Sequence, residues 1–100
     1  MELGSAIVTA RKRKDMLQKD LALKANIPAS HLSLIEQGKT NVNIDTLEAI
    51  SKALEIPVPV LFFMAMSKDD VPEAKRESYG IMSALINGLV ENTFLTDPKK

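Results

Sequence analysis

One hundred residues, 45% apolar and 26% charged, suit one globular domain with at most an appendage. Thirteen basic side chains balance thirteen acidic ones, which argues against a dominant nucleic-acid footprint unless the charge is unevenly distributed. With no cysteine and one histidine, the chain excludes disulfides, thiolate chemistry and zinc-finger sites, and no cofactor or metal is expected.

The segment MELGSAIVTARKRK lacks the basic start and apolar core of a signal peptide. The longest apolar run, residues 58–66, is interrupted by Pro59 and too short to cross a bilayer. A cytoplasmic protein without membrane contact is therefore expected. Leu3, Ile7, Val8 and Ala10 recur at helical spacing and predict a first helix over residues 4–14. Its basic last turn suits the negative end of the helix dipole. Residues 1–66 carry eight basic side chains, four of them contiguous as Arg11-Lys12-Arg13-Lys14. That run reads either as a solvated helix end or as phosphate contacts.

A second helix is predicted over 18–25, with Leu21, Ala22 and Ala25 inward, and Asn26 breaks it in the left-handed region. Pro28 fits only at a helix start, so a third helix runs from Pro28 to about Gln37, with Leu32 and Ile35 inward and Gly38 ending it. Asn43 caps a fourth helix over 44–55, whose inward face is Leu47, Ile50 and Leu54. Pro57 opens a fifth that reaches about Met66. The stretch SKDDVPEAK reads as a polar linker broken by Pro72, and a long helix follows from Glu73 to about Leu95 before TDPKK frays. Nothing predicts a strand or an internal repeat. The expected fold class is all-α.

The joint between the second and third helices carries the functional signal. Leu21, Ala25, Ile27, Leu32 and Ile35 close a small core, Ala22 permits close approach, and Asn26 supplies the turn. These are the requirements of a helix that braces another into the major groove. The sequence resembles the Cro and phage-repressor type of helix-turn-helix, often called the XRE family. The matching residues are QKDLALKANIPASHLSLIEQG, continued by NIDTLEAISKALEI, and the resemblance covers roughly residues 3–63. It implies a five-helix lambda-repressor-like bundle whose third helix reads bases in double-stranded DNA. By position it places Ala29, Ser30 and Leu34 at base edges and Gln18 on the DNA at the start of the second helix. His31, Lys39, Thr40 and Asn41 would lie near phosphates, and Arg11 would pair with Glu36 as a structural ion pair. Small Ala29 would admit a thymine methyl, and Ser30 could bond to several bases.

Four departures from that pattern matter. Leu34 stands where relatives often carry Arg, Lys or Gln. Leu17 and Pro28 stand where a capping Ser or Thr is usual. Val58, Pro59 and Val60 make an unusually apolar start to the fifth helix, which something should cover.

In the tail, Ile81, Met82, Leu85, Ile86, Leu89 and Val90 span about half of a helical wheel. One globular contact needs a narrower stripe, so part is expected to cover the bundle and the remainder to meet a second copy. The dimerisation set is Met82, Leu85, Ile86, Leu89 and Val90. The organisation expected is a DNA-binding unit over 1–66, a linker over 67–72 and a dimerising helix within 73–100. The function expected is a sequence-specific, homodimeric DNA-binding transcriptional regulator. The alternative is a protein–protein adaptor or antitoxin-type module, with a toxin or another regulator as partner. Asp69-Asp70 is the only adjacent carboxylate pair and lacks catalytic company, so no enzyme is expected.

Overall fold

Apolar residues three and four apart turn the first two-thirds of the chain into five short helices. In a computed structural model, whose described residues are 1–96, these are α1 (Leu3–Arg13), α2 (Gln18–Ala25), α3 (Ala29–Glu36), α4 (Ile44–Leu54) and α5 (Val58–Ala65). A sixth, α6 (Arg76–Val90), follows, and the described residues contain no strand. The all-α bundle with an additional C-terminal helix is as the sequence predicts. None of these helices is long and apolar enough to cross a membrane.

The core gathers one face from each helix: Ile7 and Ala10, Leu21 and Ala25, Leu32 and Ile35, Leu47, Ile50 and Leu54, and Leu61. In α1 the buried residues are Ala6, Ile7 and Ala10, whereas Val8, expected on the apolar stripe, is half-buried. The stripe is centred between Ile7 and Ala10, and at about 100° per residue Val8 falls well outside it. Ser51 is buried, and its hydroxyl donates to the Ile56 carbonyl at the α4–α5 turn.

Each of the first four helices ends in the same way. Asp15, Asn26, Gly38 and Glu55 all have positive φ, between 55° and 73°. At each, a pair of backbone bonds returns to the last turn: Met16 N–H to Arg11, Ile27 to Ala22, Lys39 to Leu34 and Ile56 to Ser51, with an inner bond beside each. This paired pattern satisfies carbonyls that the helix end would otherwise leave open. Asn26 and Gly38 are legible in the sequence as such stops. Glu55 is not, because glutamate rarely enters that backbone region, and Asp15 is only weakly so, because aspartate enters it only occasionally. The fourth helix was expected to include Glu55 and instead ends at Leu54.

Helix starts are more weakly capped. The Asn43 side chain accepts from Thr46 N–H at 2.8 Å and caps α4. Leu17 offers α2 no acceptor, although the Asp20 carboxylate returns to Leu17 N–H at 3.2 Å. Pro28 precedes α3 as an extended residue, and its carbonyl accepts from His31 and Leu32.

The segment 67–72, expected as a plain linker, holds a 3-10 turn, Lys68–Asp70, because the Asp70 carboxylate accepts Ser67 N–H at 2.9 Å. The Arg76 guanidinium donates to the Lys68 and Val71 carbonyls and ties this turn to α6. The long C-terminal helix begins as a 3-10 turn, Glu73–Lys75, and closes with a π-helical turn, Glu91–Leu95. Val90 and Leu95 are buried in the common core, with Ile86 and Phe94 packed against it. Tyr79 meets Phe63 at a ring separation of 6.5 Å, and Arg13 pairs with Glu91. The end of the expected 73–100 segment, residues 97–100, lies outside the described residues.

Candidate nucleic-acid interface

The orientation of α3 is fixed by its neighbours. Helix α2 runs into it through the Asn26 turn, while α1 crosses its C-terminal end. That crossing is close: a β-carbon on Gly4 would stand 2.5 Å from the Ile35 carbonyl oxygen. Beside it, Arg11 grips Glu36 with two bonds, Nε to Oε2 at 2.8 Å and Nη2 to Oε1 at 3.1 Å. Arg11 Nη1 also donates to the Met16 carbonyl at 3.0 Å, and Gln18 Nε2 donates to Glu36 Oε1 at 2.9 Å. The two charged side chains are only 11% and 4% exposed. One carboxylate thus holds α1, α2 and α3 together, and each of the three Arg11 guanidinium nitrogens donates to an oxygen.

This network turns one face of α3 outward. Residues 30, 33, 34 and 37 share that face at helical spacing, with Ala29 at its edge. Ala29, Ser30 and Gln37 are exposed, Ser33 is half-buried, and Leu34 is 43% exposed. Gln37 Nε2 donates to Ser33 Oγ at 2.8 Å. Beyond Gly38, Lys39 and Asn41 are exposed and Thr40 is half-buried, forming a polar rim at the end of α3. His31 is half-buried on the flank. The arrangement offers hydroxyl, amide and apolar groups to a groove, and a cation beside it.

Gln18 and the Arg11–Lys14 run have partners within the chain that their spacing in sequence does not show. Gln18 lies at the start of α2, but its amide nitrogen is engaged with Glu36, leaving chiefly its oxygen for an outside partner. The Arg11–Lys14 run does not form one basic patch. Successive helical residues point about 100° apart. Arg11 therefore turns to Glu36, Arg13 to Glu91 and Lys14 to the Leu54 carbonyl at 2.7 Å, while Lys12 is exposed.

Gln37 was missed as a face residue, although its spacing from Ser30 and Ser33 places it there. Gly4 was missed as a contact because a glycine near a helix start carries no mark of close approach. In the tail, Met82, Leu85 and Leu89 are exposed, and Ile81 with them. Val90 is buried on its own bundle and Ile86 half-buried, so those two are committed within the chain.

Two short helices joined by an αL turn, the second bearing an outward polar-apolar face, define a helix-turn-helix protein. The chain belongs to the family described as "Helix-turn-helix", of the XRE type, whose model matches residues 7–61. It is 39% identical over 61 residues to the immunity repressor protein of Bacillus phage phi105. That match takes in 61% of this chain but only 42% of the phage protein. It also resembles the crystal structure of the wild-type restriction-modification controller protein C.Esp1396I, with a TM-score of 0.60 and 38% identity. That likeness covers 64% of this chain and 82% of the controller protein.

Proposed function

We propose that this helix-turn-helix protein is a sequence-specific, double-stranded DNA-binding transcriptional regulator that acts as a homodimer. Its recognition element is α3, with Ala29, Ser30 and Leu34 at base edges and Lys39, Thr40, Asn41 and His31 beside phosphates. The observation that carries this reading is the outward face of α3, held rigid by the Arg11–Glu36–Gln18 network and ending at the Gly38–Asn41 rim. Rigid presentation matters because base contacts must meet fixed donors and acceptors. The relatedness to an immunity repressor and a restriction-modification controller protein supports the same class of activity.

The dimer follows from the exposed part of the α6 stripe. From Ser78 to Val90 the helix carries no charge, although most of that stretch is exposed. Ile81, Leu85 and Leu89 are each about two-thirds exposed, at 65%, 69% and 66%. A contiguous apolar strip of this kind is rarely left open on a monomer. A twofold pair would also set two α3 helices to reach successive major grooves, ~34 Å apart. In this reading residues 1–66 bind DNA, 67–72 connect, and the segment from 73 onward joins the copies.

The second reading, a protein adaptor or antitoxin-type module, is favoured by one observation: no charged side chain lies on the outward face of α3. Selection from a random duplex pool, followed by fluorescence anisotropy over a range of salt, separates the two. A regulator enriches one motif and loses affinity steeply with salt. Failure to enrich any sequence at low salt favours the adaptor.

A further inference from the structure

We infer that Leu34 reads the C5-methyl group of a thymine, so that each operator half-site carries thymine at the base step beneath it. The inference rests on the proposed DNA reading and adds the chemistry of the base recognised.

It comes from what the face lacks. Base pairs are told apart in the major groove by donor–acceptor pattern and by the thymine methyl. The strong polar readers are long: Arg or Lys on guanine, Asn or Gln on adenine. The outward face of α3 consists of Ala29, Ser30, Ser33, Leu34 and Gln37. Its amide, Gln37, already donates to Ser33 Oγ at 2.8 Å. The charge on the helix, Glu36, is turned inward to Arg11. Serine hydroxyls bond to either partner of a pair and discriminate weakly.

The apolar side chain with reach on this face is Leu34, 43% exposed and without a polar atom. Pressed on a base edge that offers only donors or acceptors, it would strip their water and return no hydrogen bond. Against a thymine methyl it buries apolar surface on both sides. Leu34 therefore favours thymine and disfavours the other bases at the same position. Ala29, at the edge of the face, leaves room for the methyl-bearing pyrimidine to approach.

The test uses the full chain and the duplex it selects. Each thymine is replaced in turn by deoxyuridine, which removes only the methyl. At one position per half-site, binding is expected to weaken by about four- to tenfold. At that position 5-methylcytosine is expected to exceed cytosine by a similar ratio, which separates the methyl from the rest of the base. In Leu34→Ala, an exposed substitution, both ratios should fall close to one. Deoxyuridine ratios that are uniformly near one, or unchanged in Leu34→Ala, overturn the inference while leaving DNA binding intact. A pool that enriches no sequence overturns both the inference and the DNA reading beneath it.

Discussion

Gly4 packs directly beneath the end of α3, where a β-carbon would lie 2.5 Å from the Ile35 carbonyl oxygen and 2.7 Å from that of Glu36. Both neighbours are backbone atoms, so no side chain can swing aside. Gly4→Ala is expected to lower stability by about 1–3 kcal/mol through overpacking, although alanine is the better helix former. Gly80→Ala in α6 meets open space and should raise stability by about 0.5–1 kcal/mol. Urea unfolding of both variants decides this, and equal stabilisation by the two would mean that α1 and α3 are not in close contact.

The Arg11–Glu36 pair leaves neither charge to solvent, at 11% and 4% exposed. Removing one partner leaves the other unpaired in a dry site, at a cost of about 3 kcal/mol. Arg11→Met, Glu36→Gln and their combination form a double-mutant cycle in denaturant. Strong coupling is expected, and purely additive losses would refute the pairing.

Glu55 ends α4 at φ 60° without a glycine's freedom. Glu55→Gly is expected to raise stability by about 0.5–1 kcal/mol, the relief of the left-handed penalty less the added freedom of the unfolded chain. Gly38→Ala should do the reverse, by about 1–2 kcal/mol, since space is open there and only the backbone objects. Thermal unfolding that moves in the same direction for both would contradict the shared helix-ending geometry.

The exposed α6 strip predicts a dimer in light scattering at micromolar concentration. Leu85→Asp with Leu89→Asp should yield a monomer whose helix content and unfolding midpoint at high dilution are unchanged. These positions suit the test better than cutting the chain after Met66, because Val90 and Leu95 belong to the core and their loss would destabilise the bundle. A wild-type monomer, or a double variant that still dimerises, removes the assignment.

Lys39 and Ser30 are expected to fail differently. Lys39→Ala should weaken all duplexes about equally and reduce the salt slope by about one, as a phosphate contact does. Ser30→Ala should change preference at one base position, by a small factor because a hydroxyl discriminates weakly. Repeating the selection with each variant checks both, and an unchanged motif and affinity for Ser30→Ala would exclude base contact by Ser30.

The sequence by itself determined the helices and the helix-turn-helix. Leu21, Ala22, Ala25, Leu32 and Ile35 carry a 3.6-residue period, and Asn26 and Gly38 mark where that period must stop. Such signals are local, written within one or two turns of chain. Tertiary structure decided what depends on two elements at once. It separated Arg11, Arg13 and Lys14, adjacent in sequence, onto three different partners. It made Gly4, in the first turn of α1, a close contact of α3, and turned Gln18 partly inward to Glu36. It also divided the α6 stripe, burying Val90 and leaving Leu85 and Leu89 outside. A helical period records which residues are apolar, but only the position of the neighbouring helix fixes how wide a contact it can offer.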